Sequence, residues 1–148
     1  MPDENHRETV RIRPFAIDDH AAAIAMWQAT EGIGLSVSDT RANIAAYLER
    51  NPGMSFVAVN DQGLIGAVLC GTDGRRGYLH HLAVDPAHRG RGIGRDLVNH
   101  CLDALRRTGL PKCHLFLFSA NRLGCMFWEH IGWTFRSDLD VVSIDLVS

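Results

Sequence analysis

With 148 residues, 46% of them hydrophobic and 22% charged, the chain suits one compact domain and is too apolar for a disordered tail. No apolar run nears the roughly 20 residues that cross a bilayer, and Met1-Pro2-Asp3-Glu4-Asn5-His6 lacks the apolar core of a secretion signal, so a cytoplasmic protein is expected. Fifteen Lys and Arg against 17 Asp and Glu leave a net charge of −2, which excludes a general nucleic-acid coat.

No repeat, low-complexity tract or linker interrupts the chain. Thr9-Val10-Arg11-Ile12-Arg13 alternates like a first strand. Asp18 or Asp19 is placed to cap a helix running through Ile24 and Trp27 to about Thr30. A second helix is predicted from Ser38 or Asp39 through Ile44 and Leu48, ending before Asn51-Pro52-Gly53. Ser55–Val59 and Leu64–Leu69 read as two strands around the turn Asn60-Asp61-Gln62-Gly63. Tyr78 to Val84 is a fourth strand, stopped by Pro86. From Gly92 to Thr108, Ile93, Leu97, Val98, Cys101, Leu102 and Leu105 form one helical stripe. His114 to Phe118 is nearly all apolar, which predicts a central, covered strand. Asn121 to His130 is a short helix, and Trp133–Phe135 and Val141–Val147 are read as two closing strands. The order β-α-α-β-β-β-α-β-α-β-β describes one α/β domain over residues 1–148, with a mixed sheet of about seven strands and about four helices.

The charge is unevenly spread. Residues 1–74 carry −5 and residues 75–148 carry +3, and seven basic groups fall between Arg75 and Arg107. A site for a phosphate-bearing ligand and a plain solvated face both fit that pattern. Cys70, Cys101, Cys113 and Cys125 contain no Cys-x-x-Cys pair. They read as buried free thiols, with neither a metal site nor a disulfide framework expected.

The most informative stretch is His81-Leu82-Ala83-Val84-Asp85-Pro86-Ala87-His88-Arg89-Gly90-Arg91-Gly92-Ile93-Gly94. A strand ends, a basic glycine-rich turn follows, and a helix begins. Helix N-termini offer free N–H groups and partial positive charge. Glycines let the backbone approach an anion closely. The pair of features makes a diphosphate cradle. A nucleotide P-loop would need Gly-Lys-Ser/Thr, and no Lys is present. A dinucleotide fingerprint would need a third glycine where Arg95 stands. The coenzyme A pyrophosphate loop, Arg/Gln-x-x-Gly-x-Gly/Ala, is matched at every fixed position by Arg89-Gly90-Arg91-Gly92-Ile93-Gly94.

On these residues the chain resembles the GNAT superfamily of acyl-CoA-dependent N-acyltransferases. Leu82-Ala83-Val84-Asp85-Pro86 looks like that family's hydrophobic-x-Val-x-Pro signature. Asn121-Arg122-Leu123-Gly124-Cys125-Met126-Phe127-Trp128-Glu129-His130-Ile131-Gly132-Trp133 is similar to its Asn-x-x-Ala-x-x-Phe-Tyr-Glu-x-x-Gly-Phe run. The likeness covers about residues 9–147 and implies a GNAT-type, mostly antiparallel mixed sheet. It also implies acetyl-CoA as co-substrate, with its pantetheine arm along Leu82, Ala83 and Val84. The N–H groups of Arg89, Gly90, Arg91, Gly92, Ile93, Gly94 and Arg95 would hold the pyrophosphate. Asn121 would bond the arm from the opposite side, unless it serves only as a helix N-cap. Phe127 would pack near the arm.

The implied reaction is attack of a free amine on a thioester. An alkyl ammonium has a pKa of about 10.4, so less than ~1% is nucleophilic at neutral pH, and a base is needed. The developing oxyanion calls for a fixed donor such as a backbone N–H. His80, His81 and Glu31 are the candidate bases. On a regular strand Tyr78 and His80 share one face and Leu79 and His81 the other, and His80 is the better match to the family's basic position. Glu31 lies where the family builds its acceptor wall. The family's usual acid is a Tyr after the Phe of the last helix. Here Trp128 stands there, and an indole N–H cannot deliver a proton. Water, Tyr78 or Cys125 are the available replacements, while Trp128 suits a wall of the thioester slot. An N-acetyltransferase of a small or peptide amine is therefore the leading reading. A CoA-binding sensor that has lost its acid is the alternative. A nucleic-acid or membrane partner is not expected. A homodimer through Val141 to Val147 would cover an otherwise exposed apolar edge.

Overall fold

The computed structural model describes residues 9–147, so the reading of the opening hexapeptide lies outside the described residues. Five strands are present: β1 (Arg11–Pro14), β2 (Phe56–Asn60), β3 (Gly63–Thr72), β4 (Gly77–Val84) and β5 (Cys113–Leu115). Four α-helices accompany them: α1 (His20–Gln28), α2 (Arg41–Arg50), α3 (Ile93–Arg106) and α4 (Arg122–His130). The sheet runs in the order β1-β2-β3-β4-β5. Its first three pairings are antiparallel and the last is parallel. The mixed α/β class and the four helices are as expected, but the sheet has five strands rather than about seven. The chain divides into two compact units, one ending at Phe116 and one beginning at Leu117.

In the first unit, Trp27 of α1 and Ile44 of α2 pack with Val57, Leu69 and Ala83 on one face of the sheet. Helix α3 covers the other face. Its buried stripe is Ile93, Leu97, Val98, Cys101, Ala104 and Leu105, so Ala104 joins it while Leu102 stays half-buried. Close packing needs glycine in the sheet: a Cβ on Gly77 would lie 2.5 Å from Leu105 Cδ1. The helix starts differ from the capping prediction. The Asp19 carboxylate makes a two-pronged pair with Arg13 at 2.8 and 2.9 Å and accepts from the Ala16 N–H, so it does not cap α1. Ser38 and Asp39 lie in a single 3-10 turn, and Thr40 caps α2 by accepting from the Asn43 N–H. The turn after β2 is as short as predicted, with Asn60 paired to Gly63.

Two further expectations are corrected. Residues 114–118 do not form a central covered strand. The strand here is Cys113–Leu115, it lies at the sheet edge, and Phe116 is 63% exposed. In the second unit, α4 is followed by irregular chain, and neither Trp133–Phe135 nor Val141–Val147 is a strand. Alternation of apolar residues suits a strand but does not make one without a neighbour to complete the hydrogen-bond ladder. Val141, Val142, Ile144, Leu146 and Val147 are accordingly exposed. Trp128 is buried, with its ring 4.8 Å from that of Trp133.

Candidate active site

The site begins with an asymmetry in β4. Parallel pairing with β5 spans only Gly77–Leu79, opposite Cys113–Leu115. From His80 to Val84 the strand keeps β3 on one edge and has no strand partner on the other among the described residues. The pairing with β3 also slips here. Ala67 faces Ala83 and Leu69 faces His80, so Val68 alone spans His81 and Leu82. His81 carries the irregularity with φ +56°, the one non-glycine residue with positive φ among those described. Such a conformation costs an ordinary residue roughly 1–2 kcal/mol.

This bulge overturns the strict alternation expected from the sequence. His80 and His81 both face α1 and α2: His80 sits edge-on to Tyr47 of α2, and His81 lies 5.1 Å, centroid to centroid, from Trp27 of α1. Their own rings are 6.5 Å apart. His80 lines a cleft of about 440 Å³ with Tyr47, Arg50, Asn51, Gly71, Thr72, Asp73, Tyr78 and Phe116. Burial pushes the His80 imidazolium below its ordinary range; His81 adds to that, and Asp39 opposes it. An imidazole held neutral at physiological pH can accept a proton. Tyr78 stacks on Phe116 with centroids 6.2 Å apart. The Tyr47 hydroxyl is buried without a hydrogen-bond partner, and burial raises its pKa. An unpaired buried hydroxyl costs about 1–3 kcal/mol.

The glycine-rich turn leaves the other end of β4. Gly90 and Gly92 have φ of +77° and +81°, a region open to glycine and costly for most other residues. A Cβ at either would meet nothing within 4 Å, so the space beside the turn is open. Gly92 is the N-cap of α3 and no side chain caps the helix. Its first-turn N–H groups are therefore left for an anion. Arg89 Nε donates to the Val84 carbonyl at 3.0 Å, tying the turn to the strand. These features fit a pyrophosphate.

Glu31 is exposed on the turn after α1 and is not among the cleft residues. In the second unit, Asn121 Oδ1 accepts from the Gly124 N–H at 2.9 Å, which is the N-cap role. Phe127 and Trp128 meet edge to face. Cys101 and Cys113 have raised pKa values, Cys101 through its bond with Cys70 and burial, Cys113 through burial, to about 12. Both thiols are thus poor nucleophiles. Sequence reasoning missed Tyr47, Arg50, Asn51, Asp73 and Phe116 as cleft residues, and Asp39 as a partner of His81. For Asp39 a signal existed: Ser36-x-x-Asp39 is a capping box.

A strand half released from its sheet, with an anion-ready turn at one end and an imidazole cleft beside it, frames a transferase for a CoA-borne group. The acetyltransferase (GNAT) family profile matches residues 17–133. An acetyltransferase of Pectobacterium atrosepticum is 33% identical over 112 residues, covering 76% of this chain and 79% of its own length. One from Sodalis glossinidius is 27% identical over 130 residues, covering 88% and 91%. Among solved structures, Ard1 from Thermoplasma volcanium superposes with a TM-score of 0.76 at 19% identity, over 86% of this chain and 84% of its own. The paia N-acetyltransferase from Thermoplasma acidophilum, in complex with coenzyme A, also reaches 0.76 at 19% identity, over 89% and 93%. The chain belongs to the GNAT acetyltransferase family. It is an acyltransferase, and acetyl-CoA is its co-substrate. Among the described residues no helix is long and apolar enough to cross a membrane.

Proposed function

We propose that the protein moves the acetyl group of acetyl-CoA to a primary amine of a small molecule or peptide, by direct attack on the thioester. The observation that carries this reading is the open half of β4, with His80 in a cleft and the uncapped turn at the strand's end. Bound acetyl-CoA supplies an activated acyl carbon and a thiolate leaving group. The main-chain N–H groups from Arg89 to Arg95 hold its pyrophosphate, and backbone groups of Leu82, Ala83 and Val84 line its arm. A free N–H on the open strand edge is the oxyanion donor. Asn121, Phe127 and Trp128 keep the cofactor roles that the family likeness gives them.

His80 takes the proton from the acceptor ammonium, directly or through water; its neutral state suits the task. Tyr78, in the same cleft, is the phenol available to protonate the leaving thiolate in place of the Tyr that Trp128 replaces. Glu31 has the weaker claim, being exposed and outside the cleft lining. The cleft offers aromatic walls, the cation of Arg50 and the anion of Asp73, which support a polar amine as acceptor. The reading places the protein in the cytoplasm, and the exposed run 141–147 supports a homodimer. The decisive measurement is CoA release from acetyl-CoA across a panel of amines. Acceleration by at least one amine is expected. Tight acetyl-CoA binding with release no faster than hydrolysis for every amine would refute it.

A further inference from the structure

We propose that Asp39 is a positioning residue of the amine-activating machinery, clamping His81 at the bulge of β4 and so setting the place of His80 in the cleft. The inference rests on the reading of His80 as base. Asp39 is 8% exposed, and a buried carboxylate persists only when its lone pairs are engaged. Here they are: Oδ2 accepts from the Ser36 N–H at 3.0 Å, and Oδ1 lies 2.9 Å from His81 Nε2. The backbone around Asp39 is held too, since its carbonyl lies 2.8 Å from His20 Nε2 of α1. Asp39 is thus a fixed point, its carbonyl anchored to α1 and its carboxylate to its own turn.

What it holds is the unusual part of β4. His81 stands at φ +56°, and left-handed residues persist where surrounding contacts over-determine them. The Asp39 carboxylate and the Trp27 ring supply those contacts. If His81 relaxed to ordinary strand geometry, the bulge would be lost and the two imidazoles would return to opposite faces. His80 would then leave either its cleft or its register. The clamp is also electrical. His80 is faced by Tyr47 and Arg50 from α2, by Asp73 from the β3–β4 turn, by Tyr78 and His81 on its own strand, and by Asp39 beyond them. Asp39 favours the His80 cation and His81 disfavours it. The two partners therefore act on the base with opposite signs.

That opposition gives the test. Asp39→Asn, nearly isosteric, removes the negative charge. The kcat for the acceptor is expected to fall about tenfold, with KM for acetyl-CoA unchanged and the acidic limb of the pH–rate profile moved to lower pH. His81→Asn keeps a side chain that tolerates the left-handed region and removes the imidazole. Its acidic limb is expected to move to higher pH. A merely structural role would lower the melting temperature of either variant and leave both limbs where they were. Limbs that coincide with the parent's in both folded variants, or that move in the same direction, overturn the proposal. His80→Ala run alongside separates the two levels: if it retains both turnover and the acidic limb, the base reading fails rather than the clamp.

Discussion

The two halves of β4 share β3 as a neighbour and differ on their other edge. Gly77–Leu79 is laddered on both edges; Gly77 and Leu79 are buried, with Leu105 filling the space that Gly77 leaves, and Tyr78 lines the cleft. His80–Val84 is laddered on one edge, bulged, and followed by a turn whose glycines adopt positive φ. Main-chain groups already paired in a sheet cannot serve a ligand. The main chain of the closed half serves the fold, with only the Tyr78 side chain reaching the cleft, and the main chain of the open half is free to bind. Stability and function should therefore separate along this single strand, and substitutions can show whether they do.

The largest effect is expected at the turn. Gly94 lies in the first turn of α3, outside the positive-φ set, and a carboxylate there suits the helix N-terminus. Its carboxylate would stand at the proposed pyrophosphate site. Acetyl-CoA affinity should fall by about two orders of magnitude or more in Gly94→Glu, with an unchanged melting temperature, as titration calorimetry and thermal unfolding would report. Unaltered affinity would remove the turn from the site. Next in size is His80→Ala, for which turnover should drop about a hundredfold. Its pH–rate profile should lose the acidic limb, which in the parent is expected below the usual histidine range because burial disfavours the His80 cation. From the closed half comes the reverse pattern. In Gly77→Ala the new methyl would meet Leu105, costing about 1–3 kcal/mol of stability, while acetyl-CoA affinity per folded molecule stays the same. A loss of affinity in Gly77→Ala matching that of Gly94→Glu would erase the distinction between the halves.

The turn of this strand was the most legible part of the chain, because glycine spacing states backbone requirements directly. Gly90 and Gly92 do take positive φ, and Gly92 does open α3. The amphipathic stripe of α3 and the Asn60–Gly63 turn were equally readable, since both rest on local periodicity. The bulge was not. No glycine marks it, and His80-His81 reads as ordinary alternation. The partner of His81 there is Asp39, 42 residues away in sequence, and no local rule reaches that far. The last two strands failed for a related reason: Val141–Val147 has the pattern of a strand, but pairing is a property of two segments, and its residues stand exposed instead. The cleft was hidden likewise, because α2, the β3–β4 turn and Phe116 just after β5 each contribute residues that look unremarkable alone.

The smallest expected effect lies away from β4 altogether, at the paired edge strand β1. Arg13 and Asp19 meet through two short bonds, and the Asp19 carboxyl is held below its usual range, first by the Arg13 hydrogen bonds and further by the Ala16 N–H. A depressed carboxyl stabilises the fold above its unfolded pKa of about 3.9 and loses that contribution as pH falls through the folded value. The pair is partly exposed, so solvent screening keeps its worth under about 1 kcal/mol. Asp19→Asn should thus lower the melting temperature slightly at pH 7, and the gap from the parent should close in acid. Neither acetyl-CoA affinity nor the limb assigned to His80 should move. A shift of that limb in Asp19→Asn would mean that charges reach His80 through the whole sheet, and the open half of β4 could no longer be treated as electrically its own.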